Sequence, residues 1–243
     1  MAGEYYKWLA RDVKPEEKRE LTREEKIKNW WYYHKWHLLI AAVVAFVVLD
    51  IAGDILSDFR NQPDYSVAYV GSSYLPDDTA AQLTDALAAL GEDLNGNGKV
   101  QVALHQYIIY PAPDADTASG SMDQTMLYTA QVQLAADIQE CDSFFYLMEN
   151  PAQFQADYQL LVAQDGSDDG ALYYAWTDCP VLTALPLGDF QVGTMDGVYS
   201  GSSQDVLSGL YIGRRGFWDR KICDYPEGCE ALWNTLTQGA SDK

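Results

Sequence analysis

Histidine is scarce in this chain. Three occur in 243 residues, and His105 is the one that lies beyond residue 37. Ser-His-acid chemistry in the C-terminal part therefore has a single candidate base, and that base sits in a strand-like pattern, VQVALHQY. The sequence contains no H-E-x-x-H, no G-x-S-x-G and no P-loop, which removes three common hydrolytic signatures. No C-x-x-C occurs among the four cysteines, which argues against a structural zinc. Basic residues are few as well. After residue 56 there are seven Lys/Arg against 27 Asp/Glu, a local net charge of −20. A surface this acidic repels nucleic acid and anionic lipid and attracts cations. Paired carboxylates, Asp77-Asp78 and Asp168-Asp169, leave a carboxylate-dependent hydrolase as the third of three functional readings, behind a binding domain and a scaffold.

The long apolar run is LLIAAVVAFVVL, residues 38–49, and IAGDIL extends it to Leu56. Together they reach the roughly 20 residues that a spanning helix needs. Trp30, Trp31, Tyr32, Tyr33 and Trp36 precede it as an aromatic belt suited to the headgroup layer. Residues 1–37 hold nine Lys/Arg, and Arg60 is the one basic residue between the run and Lys99. This asymmetry predicts a signal-anchor with a cytoplasmic N-terminus and an extracellular C-terminal part. The leader is long for a cleaved signal peptide, and LDIAGD is a poor cleavage site. The expected organisation is a cytoplasmic basic and aromatic segment at 1–37, a transmembrane helix at 38–56, a linker at 57–64 and an extracytoplasmic domain at 65–243. EEKRELTREEKIKNW, residues 16–30, reads as a charged helix with a capping box of Thr22 and Glu25. TREEKIKNWWYYHKWHLLIAA resembles the N-terminal anchors of uncharacterised single-pass proteins from Gram-positive anaerobes. That resemblance implies topology and no activity.

Beyond residue 64 the pattern alternates. Strands are expected at 65–71, 100–107, 143–148, 173–177, 181–187 and 209–218. Helices are expected at 79–90, 125–140 and 229–238, with one more running from Asn150-Pro151 through Leu161. Asp77 or Asp78 is the expected cap of the first, and Gly91 its stop. Residues 111–123 and 164–170 read as loops. The fold class is α/β: a mixed, mainly parallel sheet with flanking helices, begun by a βαβ unit. AADIQECDSFFYLMENPAQFQ resembles a recurring helix–strand–helix piece of extracellular solute-binding proteins. That likeness implies one lobe of such a protein and an unknown small-molecule ligand. The alternative is a structural component of a cell-envelope complex that binds another envelope protein.

Three groups of residues are candidate sites. DLNGNGKV places Asp93, Asn95 and Asn97 at positions 1, 3 and 5 of a calcium-type loop, with Gly98 at 6, the Lys99 carbonyl at 7 and Gln101 at 9. Position 12 is Leu104, so an ordinary EF-hand is excluded. The set resembles the calcium loop of bacterial sugar-binding proteins, which takes its last carboxylate from a distant part of the chain. That resemblance implies a structural Ca²⁺; an Asn-Gly turn accounts for the same residues. Arg214, Arg215 and Trp218 form a basic and aromatic patch that suits an anionic ligand or partner, or ion pairs with neighbouring carboxylates. Cys223 and Cys229 enclose a turn-like DYPEG and are the best disulfide pair, with Cys141–Cys179 following by elimination; buried free thiols are the alternative.

Overall fold

The computed structural model describes residues 20–110, 124–163, 170–194, 197–217 and 221–241. The chain divides into two compact units, residues 1–57 and 58–243. Helix α1 runs unbroken over Arg23–Asn61. It starts where the capping box says it should: Thr22 N–H donates to Glu25 Oε2 (3.0 Å) and Glu25 N–H to Thr22 Oγ1 (3.4 Å). Residues 20–22 precede the helix, and 16–19, where the charged helix was expected to begin, lie outside the described residues. At 39 residues it is roughly 58 Å long, well beyond the hydrocarbon thickness of a bilayer. It is long and apolar enough to cross a membrane, and none of its apolar window is buried against protein. The linker expected at 57–64 is mostly helix. Nothing before Pro63 breaks the ladder, and the connection shrinks to residues 62–64.

The second unit is built on strands β1 (Tyr65–Gly71), β2 (Val102–Ile108), β3 (Phe145–Met148) and β4 (Tyr173–Ala175), with β7 (Tyr211–Arg214). Their order is β2-β1-β3-β7-β4. β1 is parallel to β2, with Tyr65 opposite Val102, and parallel to β3, with Val67 opposite Phe145. β7 is antiparallel to both β3 and β4. Two of the four pairs are thus parallel, and the sheet is mixed without being mainly parallel. The reason lies in the chain path. The chain leaves β4 and re-enters as β7 at the same end of the sheet, where Trp176 N–H donates to Leu210 O, so the two strands run in opposite directions.

Alternation along the strands builds two cores. Tyr65, Val67, Tyr69, Phe145 and Leu147 face one layer, with Leu83 and Leu87 of α2 (Asp77–Leu90) and Leu232 and Leu236 of α7 (Pro226–Leu236). Ala68, Val70, Tyr146 and Met148 face the other, with Leu134 and Ile138 of α3 (Gln124–Glu140) and Phe154 of α4 (Pro151–Tyr158). The result is a three-layer α/β/α arrangement.

Several expected details differ. Residues 181–187 are not a strand. Pro180 opens a one-turn helix, α5 (Pro180–Thr183), and Leu182 is buried; a short apolar run does not distinguish the two by pattern. A hairpin of β5 (Asp189–Thr194) and β6 (Gly197–Ser202) follows, leading into the short helix α6 (Ser203–Leu207). Asn150 caps α4 as expected, accepting from Gln153 N–H (3.1 Å). That helix stops at Tyr158, with Gln159 left-handed at φ 49°, so Leu161 lies beyond it and bridges to Arg215. No side chain caps α2. Asp78 Oδ2 instead accepts Gln191 N–H from the hairpin (2.9 Å). Gly91 ends α2 at φ −85°, so conformational freedom is not its role; a Cβ there would lie 2.5 Å from the Tyr65 ring. The loop expected at 111–123 and most of that at 164–170 lie outside the described residues.

Candidate functional site

The sheet has a topological switch between β1 and β3. The chain leaves β1 for α2 on one face and leaves β3 for α4 on the other. Adjacent parallel strands whose exits diverge open a crevice at their carboxyl ends, which is where ligands of open α/β sheets bind. A cleft of about 330 Å³ lies at this point, lined by Tyr69, Ser73, Tyr74, Leu75, Glu149 and, from the hairpin and α6, Phe190, Val192, Tyr199 and Val206.

Glu149 is the charged group there, one residue past β3. Its Oε1 accepts the Tyr69 phenol (2.7 Å), which also lies 3.0 Å from Ser73 O, and its Oε2 accepts Ser72 N–H (3.0 Å). Burial, and next the bond to Glu149, push the Tyr69 phenol well above its ordinary range, so it stays a donor and fixes the carboxylate. Gly71 makes this possible: a Cβ at that position would lie 2.3 Å from the Tyr69 hydroxyl and 2.7 Å from Glu149 Oε1. Across the cleft, the Phe190 and Tyr199 rings stand 5.8 Å apart, with Tyr74 and Tyr199 largely exposed. An anchored carboxylate facing aromatic rings is suited to a ligand that carries N–H or O–H donors and an apolar or cationic face. Sequence reading missed Glu149. Its signal was its place, between a buried strand and the Asn150-Pro151 helix start.

The 93–101 loop is knotted by its own side chains. Asp93 Oδ1 accepts Gly96 N–H (2.7 Å) and Asn97 N–H (3.2 Å), and Oδ2 accepts Gly98 N–H (2.7 Å). Asn95 Oδ1 accepts Asn97 N–H and Asn97 Oδ1 accepts Lys99 N–H. Gly96 and Gly98 adopt φ +72° and +85°, which the turn requires. A distant carboxylate does reach the loop. Asp64, buried in what was read as linker, takes Leu94 N–H (2.8 Å) and Asn95 N–H (3.0 Å) on Oδ1 and Gln101 N–H (2.8 Å) on Oδ2. Gln101 Oε1 is buried with no hydrogen-bond partner among the described residues.

The arginines are interior. Arg215 is fully buried and gives its guanidinium to main-chain carbonyls, Ile138 O at 2.8 Å, Gly216 O at 3.3 Å and Ser143 O at 3.5 Å. Arg214 pairs with Glu230, donates to Ala163 O (2.8 Å) and lies over the Trp233 ring. The Arg214 guanidinium makes the ion pair offered as the alternative, and that of Arg215 is held by main-chain carbonyls; both side chains are buried. Trp218 lies outside the described residues.

No disulfide joins the described cysteines. Cys141 closes α3 at φ 61° and packs its sulfur on Ile138 O and Lys221 O, while Cys179 lies in the other core beside Trp176 and Leu182. The structure does not bring that pair together. Cys223 and Cys229 are both buried, and both lie on the wall of one cleft. Compared with known proteins, the chain matches no family model, no curated protein and no solved structure.

Proposed function

We propose that the chain is a single-pass membrane protein whose C-terminal unit is an extracytoplasmic binding domain. It takes a small polyhydroxylated or cationic ligand in the crevice between Glu149 and the β5–β6 hairpin. The observation that carries this reading is the carboxylate pinned by Tyr69 and Ser72 at the carboxyl-end switch point, facing Phe190 and Tyr199. The surplus of acid in this unit supports it, because a negative field concentrates cationic ligands. The basic N-terminal segment supports the orientation, with the N-terminus in the cytoplasm.

The test is a thermal-shift screen of the full chain in detergent against monosaccharides and organic ammonium ions. Glu149→Gln removes the charge and is expected to weaken the best ligand roughly 10- to 100-fold, the worth of a hydrogen bond to a charged group. A panel without a hit, or a ligand that binds the variant equally well, defeats the reading. Protease added to intact cells is expected to digest the C-terminal unit; digestion only after lysis would reverse the orientation.

A structural Ca²⁺ at the 93–101 loop belongs to the same proposal, and the unpartnered Gln101 Oε1 is the oxygen that favours it. With one or two carboxylates the expected affinity is about 10⁻⁴–10⁻³ M. Millimolar Ca²⁺ should then raise the melting temperature of the wild type and not of Asp93→Ala. No rise in the wild type leaves a turn held by hydrogen bonds alone.

A further inference from the structure

The crevice at Glu149 admits two ligand chemistries, and its wall separates them. Register puts Phe190 opposite Gly201 and Val192 opposite Tyr199, so these four share one face of the β5–β6 hairpin, and the three that carry side chains line the cleft. Gly201 gives the Phe190 ring its place: a Cβ there would lie 3.0 Å from the ring. Phe190 is buried, while Tyr199 and Tyr74 keep most of their surface open. The Phe190 and Tyr199 rings are tilted by 50° at 5.8 Å, so they do not close into a flat stack, and π-surface is left for a ligand. Hydrogen-bonding groups are few at this wall, and several are spent. The Tyr69 phenol and Ser72 N–H are held by Glu149, and Ser73 O lies on the same phenol. The negative charge is therefore available where those donors are not. Among the described residues no Lys, Arg or His lines the cleft. A sugar ring needs partners around its whole rim, and hydroxyls buried without them are costly. A methylated ammonium spreads its charge over methyl groups, makes no hydrogen bonds, and needs only a negative charge and aromatic faces.

We propose that the crevice is selective for a free small cation with a trimethylated, quaternary ammonium head, taken by the Phe190 and Tyr199 rings with Glu149 as the counter-charge. This rests on the binding reading above and narrows it from two ligand classes to one. The rings meet the methyl groups, and the bonds from Tyr69 and Ser72 hold the carboxylate in place. A cleft of about 330 Å³ is at the low end for ligand sites, which suits such a head with a short tail. A carboxylate or phosphate on the same ligand would lie close to Glu149 and be repelled, so the tail is a hydroxyl or alkyl one. The surplus of acid in this unit draws such a cation in.

Titration calorimetry of the full chain in phosphatidylglycerol nanodiscs tests this, with choline as the probe and 3,3-dimethyl-1-butanol, its uncharged isostere, as the control. Choline should bind about 10-fold or more tightly than the isostere, and more tightly than glycine betaine, which adds a carboxylate. Tyr199→Leu should weaken choline about 5- to 30-fold, the range of one cation–π contact, and Tyr199→Phe, which keeps the ring, by much less. Tyr199 is exposed, so neither change threatens the fold. The same titration in phosphatidylcholine nanodiscs should give the same affinity; competition from that lipid would make a membrane headgroup the ligand and overturns the free cation. Equal binding of the isostere, or an unchanged Kd in Tyr199→Leu, overturns the inference. A monosaccharide bound in place of choline, and lost in Glu149→Gln, overturns it too and leaves the binding reading standing. Binding of neither class defeats both.

Discussion

Replacing Asp137 with alanine is expected to cost the C-terminal unit about 3–5 kcal/mol, the range for breaking a buried charged network by removing one member. Asp137 lies on α3, 4 % exposed, and its carboxylate is filled. Oδ2 accepts Ser143 Oγ–H at 2.6 Å and the Tyr107 phenol at 2.8 Å; Oδ1 accepts the Tyr146 phenol at 3.2 Å and Ser143 N–H at 3.3 Å. One side chain therefore ties a helix to β2, to β3 and to the turn between α3 and β3. Arg215 stands on the other side of Ser143, whose carbonyl it contacts. Both charges act on the Tyr146 phenol, which burial and then Asp137 raise while Arg215 opposes them. Alanine strands four donors in a buried site. Asparagine keeps an acceptor and should cost less. The Asp137→Ala/Arg215→Met double variant should lose less than the sum of its singles, because the two act as one network. Denaturant melts followed by near-ultraviolet circular dichroism measure this. A loss under about 1 kcal/mol for Asp137→Ala would show that water replaces the carboxylate and that the network is not closed.

How much of this was legible in the sequence depends on the range over which each feature is decided. Local features were legible. The Thr22–Glu25 box, the Asn150 cap and the Leu83/Leu87 and Leu134/Ile138 stripes each use neighbours within a few positions, and the structure has them. The parallel β1–β2 pair follows from strand–helix–strand spacing. The direction of β7 was not legible, because it depends on where the chain goes after β4. Nor was the turn of helix at 180–183, because V-L-T-A-L fits either period. The partners of the charged residues were not legible for a related reason. Arg214 and Arg215 looked like a surface patch because only basic character is visible in sequence. Their partners, Glu230, Ala163 O and Ile138 O, lie between 16 and 77 positions away. Glu149 and Asp64 were passed over among many carboxylates because what sets them apart is contact: a phenol from 80 positions away in one case, and three main-chain donors from 30 to 37 positions away in the other.

Asp64→Ala is expected to be nearly as damaging, at about 3–4 kcal/mol, although it removes a residue from a connection and touches no strand packing. Asp64 is 3 % exposed, and its carboxylate takes three main-chain N–H groups, each of which costs about 1 kcal/mol or somewhat more when left unpaired. Two of these donors, Leu94 and Asn95, open the 93–101 loop, and the third, Gln101, closes it. The same residue's own N–H donates to Gln101 O at 2.8 Å, which sets the register in which β2 meets β1. Asp93 offers the internal control. It accepts as many main-chain bonds, but on an exposed loop where water substitutes for a lost partner, so Asp93→Ala should cost about 1 kcal/mol. The order of the two effects separates two causes. If hydrogen bonds within the turn hold this region, Asp93 matters more, and hydrogen exchange speeds up at residues 96–99 alone. If the buried carboxylate holds it, Asp64 matters more, and protection is lost at 94, 95 and 101 together, with the β1–β2 edge following. Equal costs for the two alanine variants would mean that Asp64 reaches water in solution and that burial is not what gives its three bonds their weight.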